Sequence, residues 1–148
     1  MAKTIYDPVA RADLFSRVDR LQPTAPAKWG RFTAPKMVAH LVSAVQMALG
    51  EQPVKARSSL LGNPIVRRLV IYYLPWPKGA PTAPEMLARA PEAWSDDITT
   101  LKAAIERAAA KGARATWAPH PAFGALSGTD WGVLIHRHVH HHLTQFGA

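Results

Sequence analysis

Apolar residues recur at helical spacing in four long stretches of the chain. In "DPVARADLFSRVDRL" the stripe is Val9, Leu14, Val18 and Leu21, with Asp7 placed as N-cap and Pro8 at the first helical position. "TAPKMVAHLVSAVQMALGE" follows a proline-rich break, with Thr33 as its cap and Gly50 as its stop. "PEAWSDDITTLKAAIERAAAKG" sets Trp94, Ile98, Leu101 and Ile105 three and four residues apart, on one face of a helix that Pro91 opens and Gly112 closes. The last stretch opens at "SGTD", where Ser127 and Asp130 form a capping-box pattern, and runs into "IHRHVHHHLTQF".

The pattern is weaker elsewhere. Residues 52–90 join the second and third of these helices, and about forty residues are too many for a bare loop in a compact domain. Inside them "NPIVRRLVIYYL" reads equally as a short buried helix or as a strand, because periodicity does not separate the two over so few residues. "PWPKGAP" reads as a turn or extended connection, and "TAPEML" opens on a capping-box pattern from Thr82 to Glu85. "ARATWAPHPAFGAL" reads as a structured loop before the last helix. The expected fold is all-α: a four-helix bundle with one long connection between helices 2 and 3, forming a single domain over residues 1–148.

Composition narrows the chemistry. The 48% apolar fraction suits a buried core, and no apolar run approaches the roughly eighteen residues of a membrane span. The start "MAKTIYDPVARADLF" lacks a secretory h-region, so the expected location is the cytoplasm. With no cysteine in the chain, disulfides, thiolate ligands and thiol nucleophiles are excluded. The net charge is +8, yet the basic residues are scattered, and the densest part, "KARSSLLGNPIVRR", carries no nucleic-acid-binding signature. A solvated basic face, suited to a small anionic ligand, is the expected consequence, with Arg67 and Arg68 in water or attracting an anionic cofactor. Asp96 and Asp97 are expected in water in the first turns of their helix, where the macrodipole favours them. There is no P-loop, no dinucleotide fingerprint and no serine-nucleophile elbow.

The histidines are another matter. Five of seven fall between Ile135 and Phe146. Arg137 and Val139 interrupt them and apolar residues continue beyond, which is not how a purification tag reads. On a helical wheel with Trp131 at zero, Ile135 lies at about 40°, Phe146 at about 60° and Val139 at about 80°, taking about 100° per residue. His142 lies at about 20° and His138 at about 340°, beside that apolar arc. His140, at about 180°, and Arg137, at about 240°, point away from it. His138 and His142 are thus one turn apart on the inward face, the geometry by which an i, i+4 histidine pair holds one metal ion. A third ligand has two sources outside the tract, His40 on the second helix and His120 in the loop before the last. His136, His140 and His141 are expected at the surface or supporting the site.

The early "AHL" and the closing "HxxxHxxQ" together resemble the DinB/YfiT-like superfamily of four-helix bundles. Within it, "PWPKGAPTAPEM", "HPAFGALSGTDWG" and "HRHVHHHLTQFG" look like the DUF1569 branch, with the likeness running from about Lys28 to the end of the chain. The resemblance implies a divalent metal, commonly zinc or nickel, held near one end of the bundle by His40, His138 and His142, with Gln145 as the glutamine after the last ligand. His120 and His141 are then candidates for second positions around the metal. Related bundles include transferases and isomerases that use low-molecular-weight thiols, and by analogy of fold a homodimer is the expected assembly. Two readings follow. One is a metal-dependent thiol transferase or hydrolase acting on a small molecule. The other is a non-catalytic, stress-related or ligand-binding module with a structural or vestigial metal. A basic nucleic-acid-associated protein ranks behind both.

Overall fold

A computed structural model describes all 148 residues and is all-helical. Five α-helices follow one another: α1 (Pro8–Arg20), α2 (Ala34–Ala48), α3 (Pro64–Tyr72), α4 (Trp94–Lys111) and α5 (Gly128–Gln145). Short 3-10 turns at Leu60–Gly62 and Pro84–Met86 flank α3, and no β-strand forms. No helix is long and apolar enough to cross a membrane.

The helix starts follow the capping chemistry expected of them. Asp7 accepts from the Val9 N–H, Thr33 from Lys36 and Ser127 from Asp130, whose carboxylate returns the bond to complete the box. Gly50, with φ +78, takes the left-handed turn that ends α2. Thr82 and Glu85 do not make the expected capping box, because the segment winds only into the Pro84–Met86 turn and has no side-chain cap. α4 begins at Trp94 rather than Pro91.

α2 is the centre of the core. Twelve of its fifteen residues are buried, and it packs most extensively on α4 and also on α5. α4 answers with Leu101, Ala104, Ile105 and Ala108, all without solvent exposure, while Trp94 and Ile98 are only half-buried. Leu14 and Val18 of α1 are buried as the stripe requires, but Val9 at the first turn points into solvent.

α3 resolves the helix-or-strand ambiguity as a helix, capped by Asn63. It is not the buried helix expected. Only Ile71 is buried, and Ile65, Leu69 and Tyr73 are exposed. Polar side chains hold α3 in place. Arg137 of α5 donates to the carbonyls of Val70, Ile71 and Leu74 at 2.9, 2.7 and 2.7 Å, satisfying groups that the end of a helix leaves open. Arg67 donates to Phe123 and Ala125 carbonyls, and Arg68 lies over the Tyr72 ring, so neither is simply solvated.

Asp97 overturns an expectation. It is 1% exposed, ion-paired with Arg89 at 3.0 Å and accepting from the Glu92 N–H at 2.8 Å. The segment before α4 folds back over the helix start and takes this carboxylate out of water. His136 is likewise buried rather than at the surface, because the N-terminal segment closes that flank of α5. Ile5 donates to the Gly132 carbonyl there, and a Cβ on Gly132 would collide with Tyr6 and Thr4.

Candidate metal centre

His40 projects from the middle of α2, and His138 and His142 project from successive turns of α5. Their ring centroids form a near-equilateral triangle of 5.0, 5.0 and 4.9 Å, each pair edge-on. One nitrogen from each ring lies within 4.8 Å of the others, and Nε2 of His40 is 3.1 Å from Nε2 of His138. His40 and His142 are buried; His138 is partly exposed.

The far side of each buried ring decides where its proton sits. Nδ1 of His40 faces the Met86 carbonyl at 3.2 Å, and a carbonyl only accepts, so Nδ1 carries the hydrogen and Nε2 is bare. Nδ1 of His142 faces Oε1 of Gln145 at 2.8 Å. The Gln145 amide cannot turn over, because its Nε2 donates to the Trp29 carbonyl at 2.8 Å. His142 therefore also donates from Nδ1 and presents a bare Nε2. Both carbonyl and carboxamide partners are of the kind that orients metal-ligating imidazoles.

Gly30 makes room for this arrangement. Its φ is +78, and a Cβ there would stand 2.7 Å from Nε2 of Gln145. The turn before α2 thus brings the Trp29 carbonyl onto the amide only without a side chain.

Burial keeps the cluster neutral. It lowers the His40 pKa, and together with His40 it pushes His142 down to about 3. His138 is held well below the ordinary histidine value, first by burial and then by His142 and His40. Neutral imidazole is the form that binds a metal.

The donor set fits a divalent cation. Nitrogens around a tetrahedral ion at metal–nitrogen distances of about 2.0–2.1 Å are spaced roughly 3.3 Å apart. The His40–His138 separation of 3.1 Å is close to that, and the third ring must draw in. Aromatic walls surround the site: Phe32 stacks on His40 at 5.3 Å and meets His142 edge-on, while Trp76 lies 6.0 Å from His138.

The other sequence candidates divide. His141 touches the cluster, its ring 5.3 Å from His142 and packed between Trp29 and Trp76. His120 does not touch it; its ring meets Phe123 and Trp131. His136 stacks on His140, whose Nδ1 accepts from the buried Arg17 at 2.8 Å. Residue spacing misses the carbonyls of Met86 and Trp29, which no side-chain pattern announces. It also misses Phe32 and Trp76.

The model of the DUF1569 family, described as a protein of unknown function, matches residues 9–148. No curated protein and no solved structure matches the chain.

Proposed function

The chain belongs to the DUF1569 family, and on that footing we propose that it is a divalent-metal protein whose ligands are His40, His138 and His142. The observation that carries this reading is the convergence of three neutral imidazoles, with ligand atoms within 4.8 Å of one another. A neutral core histidine has one donor and one acceptor nitrogen to satisfy. Here two rings already donate from Nδ1 to backbone and amide oxygens, which leaves Nε2 of both bare, and that of His40 faces the third ring. Nε2 of His138 meets the bare Nε2 of His40 at 3.1 Å, where one hydrogen bridges the two rings and one cation would take its place.

Zinc and nickel both suit imidazole donors. Three protein ligands would leave a coordination position open to water or a substrate atom. A bound cation would supply Lewis acidity there, easing proton loss from water or a thiol. The chain's own residues do the rest: Met86 and Gln145 orient two rings, Phe32 packs on His40 and His142 and keeps water from them, and His141 beside His142 is the nearest further group to exchange a proton.

We read the architecture as a single DinB-like domain, with α1, α2, α4 and α5 as its four-helix bundle and α3 as an addition within the long connection. That reading supports a metal-dependent thiol transferase or hydrolase acting on a small molecule, with a low-molecular-weight thiol as co-substrate. It also carries a cytoplasmic location and a homodimer. The second reading, a non-catalytic stress-related or ligand-binding module with a structural ion, is favoured by the burial of His40 and His142.

Elemental analysis of protein purified without a tag or nickel resin tests the ligand set. Wild type is expected to carry about one zinc or nickel ion per chain and His138→Ala well under half of that. Equal content in the two proteins, or none in wild type after incubation with zinc and desalting, would overturn the assignment.

A further inference from the structure

The "HPAFG" motif places one imidazole outside the three-ring cluster. Backbone bonds between His120 and Gly124, at 2.8 and 2.9 Å, close a tight turn. Inside that turn the ring Nδ1 accepts from the N–H groups of Ala122 and Phe123 at 3.0 and 3.1 Å. A nitrogen that accepts carries no hydrogen, so the neutral ring bears its proton on Nε2. Burial lowers the pKa to about 4, and Phe123 and Trp131 fix the plane of the ring. His120 is thereby held in one charge state and one tautomer, and its hydrogen bonds within the chain all fall on Nδ1. The Nε2–H donor is left over.

His120 lines a cleft of about 290 Å³ between the 54–62 segment and the 119–124 turn. Arg57, Ser58 and Ser59 supply the other polar side chains of its wall, and no aspartate or glutamate lines it. The Arg57 N–H donates to the Pro121 carbonyl at 2.8 Å, tying the two walls together. Its guanidinium reaches Glu85 only at 3.5 Å, with both side chains substantially exposed, so most of its donors are free. From Gln52 to Pro84 the chain carries Lys55, Arg57, Arg67, Arg68 and Lys78 and no acidic residue. Of these only Arg57 stands on the cleft wall, beside His120 and two serines, and no carboxylate stands there with it.

We infer that this cleft binds a small oxyanion, a carboxylate or phosphate group, with His120 Nε2–H as a neutral hydrogen-bond donor and Arg57 as the counter-charge. The volume of about 290 Å³ falls just below the range for ligand pockets, about 300–1,000 Å³, so the anion belongs to a small molecule. None of the three clustered histidines lines the cleft, and the site stands whether or not they hold a metal.

The competing explanation is that His120 only caps its own turn. Asparagine separates the two, because its Oδ1 replaces the accepting Nδ1 while nothing replaces Nε2–H. The full chain is titrated with inorganic phosphate and with acetate, followed by calorimetry and by the side-chain resonances of His120 and Arg57. Saturable binding of one anion is expected, and the better of the two names the group. In His120→Asn the affinity falls about tenfold, as for loss of a hydrogen bond to a charged group, while the melting temperature and metal content hold. Arg57→Gln, on the cleft wall away from the turn, lowers the affinity as well and carries the test alone if His120→Asn does not fold. Wild-type affinity in His120→Asn overturns the proposal, as does failure of both anions to saturate. Loss of binding in His138→Ala also overturns it, because the anion would then have been on the metal. Absence of metal from wild type would defeat the ligand assignment while leaving anion binding, and its dependence on His120, in place.

Discussion

The orientation of His142 rests on one amide. Gln145 accepts from Nδ1 of His142 and donates to the Trp29 carbonyl, so a leucine in its place would leave the ring free to choose either tautomer. Gln145→Leu is expected to weaken metal affinity by about ten- to a hundredfold with the fold retained, the usual range for such partners. Competition against a coloured chelator measures this, and wild-type affinity would count against the role given to Gln145. Much at this scale was legible in advance. His138 and His142 stand out because residues four apart share a helix face, and that is local geometry. The choice between His40 and His120 was not legible from spacing, since it depends on which element packs against α5. Asp97 misled for the same reason. Its partners, Arg89 and the Glu92 N–H, precede the helix, and no periodicity records that the chain folds back there.

Among the elements, α3 depends most on its neighbours. It buries one residue and is held at its C-terminal end by Arg137, while Tyr72 donates to Asp130 at 2.7 Å nearer the start of α5. The wheel puts Arg137 away from the inward arc, yet its guanidinium lies over Trp76, whose ring also packs on His138. Such a wheel cannot say that this face meets the end of another helix rather than water. Arg137→Gln removes bonds to three carbonyls and is expected to destabilise the α3 end by about 1–3 kcal/mol. Hydrogen exchange should then quicken over residues 70–76 and stay unchanged in α2 and α4. Uniform protection in the variant would show that α3 is held by something else. Trp76, which follows this end and walls the His138 side, should shift its fluorescence with it.

For the molecule as a whole, the histidines set the response to acid. All seven have pKa values lowered, with burial as the largest cause in each. Above the ordinary value of 6.5 both folded and unfolded chains are neutral at these rings, and stability is independent of their titration. Below it the unfolded chain takes up protons that the folded one refuses, so stability falls with pH. The loss is complete for His120 and His136 only near pH 4 and for His142 near 3. Chelator-treated protein should therefore melt at progressively lower temperature from about pH 6.5 downward, the added charge compounding a net +8. A melting temperature that is flat between pH 7 and 5 would refute this.

The sequence by itself determined the four long helices, most of their caps and the inward pair on α5, because spacing and capping act over a turn or two of chain. The family resemblance named His40 where spacing left it open against His120, and only the tertiary structure decided which oxygens orient the rings and why Arg137 and Asp97 are held as they are. Those contacts join residues far apart in the chain or outside the same helix, and local periodicity carries no information about them.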